Sequence, residues 1–248
     1  MKILIWACTL ALLLPAQAAK LTLCGVEWGP FSVPEGDQLV RGISVEIQRE
    51  AFRRLGIIDL EFRKAPWLRC KTGVQHGSYD AVLDAIPDRD MVAGAVPSAY
   101  FPVAVYVRQD CPHDTFSWNA MRGKTVGVVH GYHYPGNIDR FDGWSRDESV
   151  DDEQAMVKLK AGRYHHLLSD IFTAPAMSEK VGVPIKMLKP MLGAHGLFLV
   201  FGKRNQALAD RHAAVLADMI EDGSMDRIYR RYLPYGYTDL QRQLAGLR

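Results

Sequence analysis

Short apolar runs alternate with longer amphipathic stretches along this chain, a pattern that predicts strands and helices in turn. Residues 20–24 read as a buried strand that runs into Gly25-Val-Glu-Trp-Gly-Pro-Phe31. Gly29-Pro30 breaks that strand and leaves Trp28 and Phe31 on a loop, two rings placed to stack on a ligand. Across residues 42–55, Ile43, Ile47, Ala51 and Leu55 recur every four positions, one face of a helix that Gly56 closes. Arg41, Arg49, Arg53 and Arg54 form its solvated side. Residues 57–62 make the next strand. Pro66 opens a second helix at a position that needs no N–H, with Trp67, Arg69 and Cys70 following it. Helix N-termini attract anions, so Trp67 and Arg69 are expected to face a ligand. Gly77 ends this helix, residues 79–83 form a short apolar strand, and Asp84, Pro87, Asp88 and Arg89 crowd the loop beyond it.

The same grammar then restarts. Residues 93–96 and 103–107 are apolar and are separated by Pro97-Ser-Ala-Tyr-Phe-Pro102. Residues 125–129 form a strand ending in His130-Gly-Tyr-His-Tyr-Pro-Gly136, and a helix over residues 151–161 follows. Gly162-Arg-Tyr-His-His-Leu-Leu-Ser-Asp170 repeats the arrangement of Gly77-Ser-Tyr-Asp-Ala-Val-Leu-Asp84: a helix-ending glycine, x-Tyr, a strand, then an acid. Two similar α/β lobes facing each other across a cleft would produce this repetition. Strands at residues 183–188 and 196–201, a helix over residues 205–221, and a last helix capped by Ser224 and bearing Ile228, Tyr229 and Tyr232 complete the pattern.

Composition narrows the class. Residues 1–18 combine Lys2, an apolar run and a small-x-small ending, the marks of a secretory signal peptide too short to span a membrane. The formal charge of +2 offers no basic field for nucleic acid. Cys8 lies inside the leader. Export favours one disulfide among Cys24, Cys70 and Cys111; Cys24–Cys70 is preferred because strand and helix pack nearby, with three buried thiols as the alternative. Their spacing fits no zinc motif.

The motifs together resemble the periplasmic solute-binding proteins of family 3, the polar-amino-acid type. The resemblance rests on Glu27-Trp-Gly-Pro-Phe31, Gly42-Ile-Ser-Val-Glu-Ile-Gln, Gly77-Ser-Tyr-Asp-Ala with Arg89 after it, Arg122-Gly-Lys-Thr-Val-Gly-Val-Val-His-Gly131, Ala161-Gly-Arg-Tyr-His-His-Leu-Leu-Ser-Asp170 and Asp222-Gly-Ser-Met. It implies an α/β, two-lobed type II binding-protein fold with two hinge crossovers: lobe 1 from residues 19–104 and 196–248, lobe 2 from residues 105–195. It also implies a monomeric periplasmic receptor without a cofactor, which delivers a small polar ligand to a membrane permease or a sensor. By position, Arg89 matches the grip on the α-carboxylate and Asp170 the acid for the α-amino group. Trp28 matches the stacking aromatic and Trp67 an apolar contact opposite, while Tyr132, His133 and Tyr134 replace small polar residues of the second lobe. The expectation is therefore that Arg89 and Asp170 stand on opposite walls of one crevice with Trp28 between them.

Two departures bear on the ligand. Asp84 stands where amino-acid binders usually carry Ser or Thr, and a second anion there repels a carboxylate. His165 replaces an aspartate of the family's Gly-Arg-x-Asp pattern. An aromatic pocket with aspartates suits an organic cation or a bulkier zwitterion, held partly by cation–π contact. The competing readings are a dehydratase-like enzyme using Glu27, Asp84, His133 or Asp170 as acid or base, and a metal carrier using His130, His133, His165 and His166.

Overall fold

The structure, a computed structural model, describes residues 20–247; the expected leader lies outside them. The chain opens on β1 (Leu21–Gly25), turns through β2 (Val33–Glu35) and β3 (Gln38–Arg41), and enters α1 (Ile43–Arg54). Gly42 sets that entry. Its φ is +117°, and a Cβ there would lie 2.3 Å from the Phe31 carbonyl oxygen, so no other residue fits. β4 (Leu60–Lys64), α2 (Trp67–Gln75), β5 (Ala81–Ala85) and β6 (Met91–Val92) follow. β7 (Ala99–Arg108) carries the chain into a second set of elements. These are β8 (Thr125–Val129), α3 (Gly136–Asp139), β9 (Ser145–Ser149), α4 (Asp152–Lys160), β10 (His166–Asp170), α5 (Thr173–Val181) and β11 (Ile185–Met187). β12 (Gly193–Gly202) returns, and α6 (Gln206–Glu221), α7 (Ser224–Tyr229) and α8 (Tyr237–Leu244) finish the chain.

The strand order β2-β3-β4-β1-β5-β12-β7-β10-β8-β9 contains the same unit twice. In the first half, β4, β1 and β5 run parallel and β12 closes them antiparallel to β5. In the second, β9, β8 and β10 run parallel and β7 closes them antiparallel to β10. The two closing strands pair with each other, Gly193 opposite Val103 through Leu197 opposite Ala99, before β12 passes on to β5. The inner parallel strands β1, β5, β8 and β10 are mostly buried and apolar, as strands covered on both faces require, while β4 and β9 nearer the edges are more exposed. The repeat seen in the sequence thus has a structural counterpart: β5 and β10 occupy equivalent places, and Asp84 and Asp170 sit at their carboxyl ends. Cys24 and Cys70 form a disulfide between β1 and α2, with Cα atoms 5.4 Å apart, and Cys111 is free.

Several elements depart from expectation for local reasons. β4 starts at Leu60 because the Ile57 N–H donates to the Phe52 carbonyl in the cap of α1 (2.9 Å) and leaves Ile58 in solvent. β7 runs straight through Tyr100, Phe101 and Pro102, which were expected in a connection; Pro102 lacks an N–H, yet its carbonyl accepts from Ile171 (3.2 Å). α7 ends at Tyr229, so Tyr232 lies beyond it, and α8 is an additional helix. β9, Ser-Arg-Asp-Glu-Ser, carries no apolar signal and forms because β8 offers a parallel edge. Among the described residues no helix is long and apolar enough to cross a membrane.

Candidate functional site

Ligands of open α/β sheets bind outside the carboxyl ends of the strands, and a cavity lies there between the two halves. Its space is ≈ 590 Å³ counted out to the mouth, of which ≈ 60 Å³ admits the centre of a water molecule, room for a small solute. The first half contributes Val26 and Trp28 after β1, Trp67 at the start of α2, and residues 83–86 at the end of β5. Tyr132 and His133 come from the loop after β8, and Asp170 and Thr173 from the end of β10. The closing strands add Phe101, His195 and Leu197.

Asp170 is the most firmly held group in the cavity. Its side chain is 2% exposed. Oδ1 accepts the N–H groups of Phe172 (2.8 Å) and Thr173 (3.0 Å), which fixes the turn into α5, and Oδ2 accepts the indole N–H of Trp28 from the other half (3.3 Å). Burial pushes its carboxyl above the ordinary range, opposed by these donors. Asp84 faces it across the cavity with much less support. It is the one non-glycine among the described residues with positive φ (51°), and the Ser44 hydroxyl donates to its Oδ1 (2.8 Å). Burial raises it to about 7. Strain of this kind persists where the surrounding structure enforces it, and it clusters at functional sites.

The walls meet at the mouth. The Trp67 indole donates to the Gly131 carbonyl of the opposite half (2.8 Å), and its ring stands edge-on to Tyr132 (centroids 6.0 Å apart). Gly131 has φ +78°, and a Cβ there would lie 2.8 Å from Leu68, so the loop after β8 approaches α2 as closely as its backbone allows. Tyr132 in turn donates to Asp152 Oδ2 (3.0 Å). Burial, then the charge of Asp170, raises Asp152 to about 7.

Four expected contacts lie elsewhere. Arg89 is exposed and lies outside the cavity, so it does not face Asp170. The cause is the short loop after β5. Asp88 accepts from Gln75 (3.3 Å) and pairs with Lys71 (3.3 Å) on α2, while Lys203 takes Asp90 (3.1 Å), which draws the segment away from the cleft. Phe31 is fully buried behind Trp28, stacked on it at 4.1 Å and 13°, and supports that ring instead of meeting the cavity. Tyr134 is buried beneath the loop after β8, where its hydroxyl accepts from the Val129 N–H (3.1 Å). Arg69 also points away, exposed on α2. Trp28, Trp67, Asp84, Tyr132, His133 and Asp170 line one cavity.

Phe101 and His195 were missed, although they stack on one another (5.6 Å, 21°) inside the cavity. His195 Nε2 is buried without a hydrogen-bond partner among the described residues, and burial lowers its pKa to about 4, so the ring is neutral. The four histidines of the metal-carrier reading do not gather: His130 pairs with Glu148, His166 lies on β10, and no group of three potential ligands is found among the described residues. Glu27, an acid–base candidate, stands at the mouth in an ion pair with Lys64 (3.0 Å).

The geometry has counterparts. A P235GK mutant of ArgBP from T. maritima is similar at a TM-score of 0.72 and 19% identity, covering 86% of this chain and 94% of that one. An arginine 3rd transport system periplasmic binding protein from Legionella pneumophila gives 0.73 and 18%, over 86% of this chain and 99% of that one. A structure from Streptococcus mutans, from work on glutathione import through GshT and the cystine importer TcyBC, gives 0.74 and 18%, over 88% and 96%. These share the fold, that of the type II periplasmic binding proteins. Among curated protein sequences none matches. The profile of bacterial extracellular solute-binding proteins, family 3, matches residues 23–235, most of the chain, and to that family the protein belongs.

Proposed function

We propose that the protein is an extracytoplasmic receptor which captures a small polar ligand, an amino acid, amine or derivative, between its two halves. The halves are the lobes, and closure brings the second onto the first around the solute. The single observation that carries this reading is the pair of bonds across the cleft. Trp28 reaches Asp170 and Trp67 reaches Gly131, so each jaw supplies a wall of the cavity, and two indole donors of the first jaw latch onto acceptors of the second. A monomer working in the periplasm would then present its closed form to a membrane permease or a sensor. Family membership favours this reading over the enzymatic one.

Trp28 and Trp67 line the cavity and therefore report on its occupancy. Titration with amino acids and amines is expected to change the tryptophan fluorescence saturably and to raise Tm, as any ligand specific to the native state must. Trp28→Ala should abolish the response. A broad panel that moves neither signal overturns the proposal.

A further inference from the structure

We infer that the cavity selects a small organic cation that carries no free carboxylate, an amine or guanidine in preference to the corresponding amino acid. This rests on the receptor reading above and narrows it. The first observation is charge. Two aspartates line the cavity, Asp84 and Asp170, and among the described residues no arginine or lysine does. A third acid, Asp152, stands behind Tyr132. An α-carboxylate entering this space would face like charges with no cation to receive it, whereas an ammonium or guanidinium meets acceptors on both jaws.

The second observation is the lining between the acids. Trp28, Trp67, Phe101 and Tyr132 present aromatic surface, which attracts a cation through the ring quadrupole. The third is His195. The residue lines the cavity and its buried Nε2 has no partner among the described residues; with the ring proton on Nδ1, that nitrogen is an acceptor for a ligand N–H. The fourth is the mouth. Glu27, Asp37, Asp151, Asp152 and Glu153 gather there; Lys64 pairs with Glu27, Lys180 with Glu153 and Arg63 with Asp37, and Asp151 and Asp152 have no ion-pair partner among the described residues. That field draws cations inward and slows anions.

Matched pairs test the inference directly: agmatine against arginine, putrescine against ornithine, cadaverine against lysine, by calorimetry on the wild-type protein. In at least one pair the decarboxylated member is expected to bind tenfold or more tightly. Asp84→Asn, whose side chain tolerates positive φ, should reduce that preference at least tenfold while the far-UV spectrum stays unchanged. Amino acids that bind as tightly as their amines overturn the inference and leave the receptor reading standing. Failure of both classes overturns both. A preference that survives in Asp84→Asn removes Asp84 from the selection and overturns its assignment here.

Discussion

Asp84 and Asp170 end equivalent strands in the two halves of the sheet, yet the chain holds them in opposite ways. Asp170 accepts two backbone N–H groups and an indole, so its charge is part of how β10 turns into α5. Asp84 accepts the Ser44 hydroxyl, has the Ser32 hydroxyl as a second support and no backbone donor, and sits at a positive φ. A carboxylate with several fixed donors is first a structural group. One with few donors is held in a cavity at a cost to stability, and that cost is reasonable where a ligand supplies the missing partner. The comparison predicts that the two positions respond differently to the same substitution.

Asp170→Ala gives the largest effect. It removes the acid and leaves two N–H groups and the Trp28 indole without their acceptor, so cation affinity should fall by about 2–5 kcal/mol and Tm should fall as well. Asp170→Asn retains one acceptor oxygen and should recover part of the Tm without recovering the affinity. Calorimetry and thermal melts on both variants separate the roles. Affinity near that of wild type in Asp170→Asn would show that the position serves the fold alone.

Asp84→Asn comes next, with an expected loss of about 1–3 kcal/mol in cation affinity and a Tm that holds or rises. It also carries a pH signature. Asp84 titrates at about 7 in the empty protein, so it is largely protonated at about pH 5.5 and ionised well above 7. A cation favours the ionised form. The association constant should therefore rise with pH through this window, by up to about tenfold per unit on the acid side, and level off above it. Asp152, raised to about 7, and Asp170, also raised by burial, belong to the same site and contribute to the profile. The informative quantity is the slope lost in Asp84→Asn.

How much of this was legible in the sequence follows from the same pair. The Gly-x-Tyr repeat placed both aspartates at strand ends because helix stop, strand and acid are local signals. His195 and Phe101 were not legible, since they lie on the crossing strands β12 and β7. The apolar run begins at Gly196, one residue past the histidine, yet His195 and Leu197 share one face of the strand and both line the cavity. Phe101 lies between two prolines, a pattern that suggests a connection, although Pro102 is compatible with a strand position whose N–H is not needed. Phe31 and Tyr134 share loops with true cavity residues, and only packing distinguishes the ring in front from the ring behind.

Trp67→Phe addresses the latch and not the anions. The ring remains against Tyr132, while the indole N–H to Gly131 is lost. A single hydrogen bond is worth about 1 kcal/mol, so ligand should bind about fivefold more weakly, mostly through faster dissociation in stopped-flow. An unchanged dissociation rate would mean that this bond does not hold the jaws together.

Arg89→Ala should have the smallest effect, and it bears directly on the ligand. An arginine that received a carboxylate would have to enter the cleft, where its loss would cost about 2–5 kcal/mol. Instead the loop after β5 is tied to α2 through Asp88 and to Lys203 through Asp90, and the guanidinium stands in solvent. Removing an exposed charge there should leave cation affinity within about twofold, with any change confined to association at low salt. A large loss would place Arg89 in the closed cleft after all, restore a carboxylate to the ligand, and undo the asymmetry between the two jaws.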